Sequence, residues 1–267
     1  MKKIIYQNHQ IKKKFGQNFL NDQHIIDLII YYISPKNNEN LIEVGPGLGA
    51  LTKRIAKYVN HLTAIEIDKD LVQKLKKSLS HQKNIKILHK NVMSINFQNL
   101  SNKIGESLRI FGNLPYNIST QLIFHLLKYI NVIQDMHFML QKEIADRLIA
   151  MPNNKNYGIL SIMVQYFCTV FHLTEVPSKS FIPNPKVNST FIRLTPHNNK
   201  PYLANNLKNL SIIVKTAFKQ RRKIIKNSLK NLLNTKQIIK QGIDPTLRAE
   251  NLDIKQFCLL SNVLNIN

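Results

Sequence analysis

Cysteine is nearly absent from this chain: Cys168 and Cys258 are the only two, with no CxxC pair and no Cys/His cluster. Their scarcity argues against a disulfide framework and gives no sign of a metal site. Long apolar runs are missing as well. The longest near the start, Ile25 to Ile33, is interrupted by Asp27 and is too short to span a bilayer. The first residues hold no signal-peptide core, and although they are basic the first arginine is Arg54, which argues against an Arg-rich presequence. A reducing cytoplasm of bacterial type is the simplest home, with no membrane partner. Acidic residues are the third shortage: 15 Asp and Glu face 38 Lys and Arg, a net charge of +23. Such a surplus suits a polyanion, nucleic acid before an anionic membrane surface. An AT-rich coding sequence would also enrich Lys, Asn and Ile, but it should have raised Glu too, and Glu is scarce. The nucleic-acid reading is therefore kept.

What is present reads as α/β. With 267 residues and 43% apolar content the chain can bury one large domain and a small one. Asn21-Asp22 should cap a helix running to about Ile33. Leu41–Val44, His61–Asp68, Ile85–Asn91 and Leu108–Phe111 read as strands, and the segments between them carry helical spacing. Alternation of that kind predicts a parallel sheet with helices on both faces. Three prolines stiffen 176–187 into either a cleft wall or a long hairpin connection. The break Pro196-His197-Asn198-Asn199-Lys200-Pro201 reads as a linker, so the expected domains are 1–197 and 198–267, the second helical. Within it, Phe218 to Lys230 is expected as one amphipathic helix with a basic face; such a face is usually just solvated.

Two loops carry the chemistry. Gly45-Pro46-Gly47-Leu48-Gly49 follows a strand and precedes a helix, as nucleotide loops do, and Glu66 closes the next strand, where a carboxylate can accept ribose hydroxyls. Gly45-x-Gly47-x-x-Ala50 fits a dinucleotide, while Glu43, Pro46 and Gly49 look more like an S-adenosylmethionine loop. The second loop is Asn113-Leu114-Pro115-Tyr116. Asn113 offers an amide oxygen, the Leu114 and Pro115 carbonyls are expected to turn outward, and Tyr116 offers a ring for a nucleobase. That is a socket for a planar group with an amino function, although an ordinary βα turn uses the same residues. Together the loops predict methyl transfer to an exocyclic amine.

Gln17-Asn18-Phe19-Leu20, Glu43 to Gly49, Glu66-Ile67-Asp68, Asn113 to Tyr116, Phe181-Ile182-Pro183-Asn184-Pro185-Lys186-Val187 and Gln220-Arg221-Arg222-Lys223 together cover nearly the whole chain. With them the sequence resembles the bacterial small-subunit (16S) ribosomal RNA adenine N6-dimethyltransferases. The resemblance implies a Rossmann-like S-adenosylmethionine-dependent sheet with a small C-terminal helical domain for RNA or ribosome recognition. It implies dimethylation of two adjacent adenosines in a loop near the 3′ end of that RNA, in an immature 30S particle, by a monomer. Asn18, Leu20, Gly45, Glu66, Asn91 and Asn113 would hold the cofactor. Asn113, Leu114, Pro115, Tyr116 and Phe181 would hold the reacting base, with Phe181 pressing its second face. Lys12, Lys13, Lys14, Arg221, Arg222, Lys223 and Arg248 would grip RNA, and no metal is implied. Asn91 departs from the family, which usually carries Asp there.

Four other readings remain. A DNA adenine methyltransferase shares the cofactor loop and a similar socket, but Leu114 where it has Pro and the absence of an obvious large target-recognition domain count against it. The large-subunit relatives that confer macrolide resistance differ mainly in the tail. A non-catalytic RNA-binding assembly factor would need no intact Gly45, Glu66, Asn113 and Tyr116. A nicotinamide oxidoreductase would need a proton-transfer constellation that the scattered histidines do not supply.

Overall fold

The structure, a computed structural model, describes residues 4–264, with the side chain of Lys13 outside the described part. Two compact units emerge: residues up to 145 together with 171–196, and residues 146–170 together with 197 onward. The second unit therefore takes in a segment that the linear division at 197 assigns to the first.

The first unit is built on a seven-stranded sheet, whose strands we number β1 (Asn40–Val44), β2 (His61–Glu66), β3 (Ile85–His89), β4 (Leu108–Asn113), β5 (Ile133–Gln141), β6 (Cys168–Val176) and β7 (Ser189–Pro196). Their order is β3-β2-β1-β4-β5-β7-β6. Strands β1 to β5 pair in parallel, and β7 pairs antiparallel with β5. Central β4 is buried from Leu108 to Gly112, as expected of a strand covered on both faces, and its one charge, Arg109, is paired with Glu39 and Asp135. The chain reverses its direction of winding between β1 and β4, and the carboxyl ends of the strands there form the crevice where open α/β sheets take ligands.

Helix α1 (Gln23–Ile33) shows how local sequence sets this frame. Asp22 accepts from the backbone N–H groups of His24 and Ile25, and Ile25, Ile26, Ile29, Ile30 and Ile33 form one buried face. Their core includes Phe111, Met139, Phe181 and Phe191.

The second unit is helical around Leu210, Ile213, Val214 and Ala217 of a helix over Leu207–Lys219, with Phe257 and Leu260 of another over Ile254–Asn262. The long basic helix expected over 218–230 is interrupted. The first helix ends at Lys219, residues 220–224 turn, and only Ile225–Ser228 resumes. The cause is tertiary pairing: Ile224 bridges Arg248, and the Ile225 N–H donates to the Leu247 carbonyl at 2.6 Å.

Candidate active site

Glu66 ends β2 with its carboxylate almost fully buried. Oε1 accepts from the N–H groups of Ile67 and Asp68, each at 2.9 Å, and Oε2 accepts from Gly47 at 3.2 Å. Burial pushes this carboxyl above its usual range, opposed by those three backbone donors. The Gly47 bond ties the glycine loop to β2. Gly47 itself adopts φ +61°, and a Cβ there would lie 3.1 Å from the Phe19 ring, so the position admits the arm only as glycine. Beneath the loop sits Glu43, also buried, whose Oε2 has no hydrogen-bond partner among the described residues. Burial raises it to about 8, the Glu66 charge adds to the effect, and the neighbouring Thr52 hydroxyl works the other way.

These contacts discriminate between cofactors. A pyrophosphate needs free loop N–H groups. Here Gly45 donates to the Ile65 carbonyl at 3.0 Å, Gly49 to the Pro46 carbonyl at 2.9 Å, and Gly47 to Glu66. The buried carboxyls of Glu43 and Glu66 also offer no positive counter-charge to a diphosphate. With its loop N–H groups already used, the site suits a nucleoside cofactor without a pyrophosphate better than a dinucleotide.

The basic arm lies along this cleft. Phe19-Leu20 pairs antiparallel with Phe181-Ile182, and Ser180 donates to Asp22 at 2.8 Å. Lys12 Nζ reaches Asp68 at 2.6 Å and Asp70 at 2.7 Å, while Gln17 donates to the other Asp68 oxygen at 2.8 Å. Burial alone would raise the Asp68 carboxyl, but the Lys12 and Gln17 bonds outweigh it and hold it low; the same bond to Asp68 raises Lys12.

The socket lies one strand further. Asn113, at the end of β4, donates through Nδ2 to the Asn18 carbonyl at 2.8 Å. Its Oδ1 is thereby turned the other way and accepts nothing among the described residues. Leu114 N–H donates to the Met139 carbonyl at 3.2 Å, and the Leu114 side chain is buried, so only its carbonyl is left to act. The half-buried Tyr116 ring lines the cleft, and its hydroxyl meets Ser189 Oγ at 2.8 Å. Burial raises the Tyr116 phenol.

Asn18, Leu20, Gly45, Glu66, Asn91, Asn113, Leu114, Pro115 and Tyr116 all line this one cleft, which holds about 990 Å³ counting space open to solvent. Four expectations need correction. Phe181 does not reach the cleft: it is fully buried and packs with Ile29, Phe111 and Phe191, so its work is to anchor the arm. The Pro115 carbonyl is not outward, because it accepts from the Ile118 N–H at 3.1 Å to close the turn. The Lys12 charge is shared with Asp68 and Asp70, which ties it to the cleft wall and lessens what it can offer RNA. Arg221 is bonded to Glu250 at 2.8 Å and to the Lys155 carbonyl at 2.6 Å, which fastens the helical unit internally. Asn91 keeps its place, but its oxygen already accepts from the Met93 N–H at 3.0 Å, leaving the amide N–H₂ facing outward as a donor. Lys14 is exposed, and in the helical unit so are Arg222, Lys223 and Arg248. The Lys13 side chain lies outside the described part.

Sequence reasoning missed Gln17, Gly112 and Ser189. Gly112 lies within β4, where a Cβ would stand 2.3 Å from the Val44 carbonyl oxygen, so β1 and β4 meet this closely only because it is glycine. A glycine inside a strand is the one signal that could have pointed to it. Gln17 stood within a recognised motif without a role of its own, and Ser189 gave no signal; their bonds to Asp68 and Tyr116 span 51 and 73 residues.

A model for ribosomal RNA adenine dimethylases matches residues 8–265. The chain is 52% identical over 267 residues to the ribosomal RNA small subunit methyltransferase A of Blochmanniella pennsylvanica, covering 99% of both proteins. It is 48% identical to the protein of that name from Citrobacter koseri, covering 100% of this chain and 98% of the other. In fold it is similar to a dimethyladenosine transferase from Plasmodium falciparum, with TM-score 0.76 at 24% identity over 91% of this chain and 95% of that one. It is also similar to the 23S rRNA methyltransferase ErmE, with TM-score 0.72 at 22% identity over 92% and 99%. The cleft between the glycine turn and the Asn113–Tyr116 loop thus sits in a fold shared with these structures, and the chain belongs to the ribosomal RNA adenine dimethylase family.

Proposed function

We infer that the protein uses S-adenosylmethionine to dimethylate the N6 amino groups of two adjacent adenosines in a loop near the 3′ end of small-subunit ribosomal RNA. It acts as a monomer on an immature 30S particle in the cytoplasm. One observation carries this reading. Asn113 belongs to the cofactor cleft and to the socket at once, with its donor fixed on Asn18 and its oxygen left for an amine. The names of the small-subunit relatives support the choice of RNA.

In this reading Glu66 accepts ribose hydroxyls, the buried Glu43 carboxyl lies under the glycine turn, and the arm at Asn18 and Leu20 covers the cleft, whose lining includes all four residues. When bound, S-adenosylmethionine supplies a methyl group activated on sulfonium sulfur. Asn113 Oδ1 and the Leu114 carbonyl accept the N6 protons. They draw a nitrogen whose lone pair is delocalised toward tetrahedral geometry and stabilise the positive charge it gains. Tyr116 stacks on the base, worth about 1–3 kcal/mol, which offsets much of the few kcal/mol needed to unstack it. Arg222, Lys223 and Arg248 of the helical unit and Lys14 of the arm meet phosphates.

The test is to incubate the protein with methyl-labelled S-adenosylmethionine and immature small subunits and to map the label. Label on N6 of two adjacent adenosines is expected. Label confined to large-subunit RNA would favour the macrolide-resistance reading, and RNA binding without transfer would leave an assembly factor.

A further inference from the structure

Ser189 opens β7, directly across from Gln141 of β5. It is completely buried, and its hydroxyl bonds to the Tyr116 hydroxyl at 2.8 Å. The two residues are not on neighbouring strands. Strand β5 lies between β4 and β7, and its Met139 pairs with Asn113 on one side and Phe191 on the other. Tyr116 therefore reaches across the end of β5. Its ring is held near the backbone by the Leu114–Met139 and Ile118–Pro115 bonds and at the far tip by Ser189. A ring held at both ends has a fixed long axis, which sets where its face can meet a base.

The placement of that ring matters unequally to the two methyl transfers. Each transfer forms an N6–C bond and breaks an S–C bond; the electron pair stays on sulfur and one N6 proton goes to solvent. Before the first transfer N6 carries two protons, enough for both Asn113 Oδ1 and the Leu114 carbonyl. Afterwards one proton remains, so one of the two acceptors has lost its partner. The methylated base is then oriented by a single hydrogen bond and by stacking. The stiffness of the stacking surface should weigh more heavily in the second step than in the first.

We propose that Ser189 is a positioning residue: by holding the tip of Tyr116 it fixes the axis and position of the ring on which the monomethylated adenine stacks, and so governs progress from the monomethyl to the dimethyl product. The proposal rests on the reaction inferred above. Ser189 touches neither base nor cofactor, and its effect runs through the tyrosine.

The experiment follows N6-methyl- and N6,N6-dimethyladenosine over time by mass spectrometry, with immature small subunits at saturating S-adenosylmethionine. It compares wild type, Ser189→Ala, Tyr116→Phe and the double variant. Tyr116→Phe removes the same hydrogen bond without touching β7 and keeps the stacking ring. The ratio of second-step to first-step rate constants should fall about five- to tenfold in either single variant, the size of one lost hydrogen bond. The double variant should fall no further, because both changes remove one interaction. Cofactor affinity by calorimetry should stay within twofold of wild type. Equal slowing of both steps, an unchanged ratio, or losses that multiply in the double variant would overturn the role of Ser189. Wild-type protein that stops at one methyl group would instead overturn the inferred dimethylation, and the proposal with it.

Discussion

The Asn113 amide nitrogen donates to the Asn18 carbonyl at 2.8 Å, so the arm that covers the cofactor cleft also fixes which way the socket amide faces. Asn113→Ala removes both the acceptor for the target amine and the arm's anchor. Methylation of small-subunit RNA should fall by about 10²–10³-fold, the usual size for one preorganised polar group. Cofactor binding should remain measurable by calorimetry. Asn113→Asp restores an acceptor but has no donor for Asn18, so it should not rescue activity.

Glu43 gives the stability a pH dependence. Its carboxyl is raised from an ordinary 4.5 to about 8 by burial. The folded state then binds a proton that the unfolded chain releases, so this contribution is complete below pH 4.5 and is lost as pH rises toward 8. Thermal melts of Glu43→Gln should show a shallower decline between those limits than wild type, the remainder coming from the raised Glu66. A parallel decline in both proteins would remove Glu43 as its source.

Lys12 should act on the cofactor rather than on RNA. Lys12→Met frees one end of the arm while Gln17 still holds Asp68. Because Lys12 is partly exposed, the pair is worth about 1 kcal/mol or less. Cofactor affinity should weaken by no more than about fivefold. The salt dependence of RNA binding should be unchanged.

Phosphate contact should depend on Arg222, Lys223 and Arg248. The Ile224–Arg248 bridge brings Arg248 beside the turn that carries the other two. Changing all three to Gln should flatten the slope of log affinity against log salt by about 2–3. Arg221→Ala, by contrast, should lower the melting temperature and leave that slope nearly intact, because its guanidinium is bonded to Glu250 and Lys155.

Gly112→Ala should be among the costly single methyl additions. Its Cβ would stand 2.3 Å from the Val44 carbonyl oxygen, so β1 and β4 would have to part at the site. A loss of about 1–3 kcal/mol is expected in denaturant unfolding, with cofactor affinity falling as well.

The sequence alone determined the alternation of strands and helices, the glycine turn with its acceptor at Glu66, and the socket from Asn113 to Tyr116. Each is written in residues a few positions apart, where hydrophobic period, turn chemistry and strand ends act locally. The folded chain decided what those residues face. It turned Phe181 into the core, closed the Pro115 carbonyl on Ile118, and gave Lys12 to Asp68 and Arg221 to Glu250. It also broke the basic helix at Gln220 and set Ser189 against Tyr116. Every such outcome except the Pro115 turn depends on a partner far along the chain. Charge and shape fix what a side chain can do, but only packing brings together the groups with which it does it.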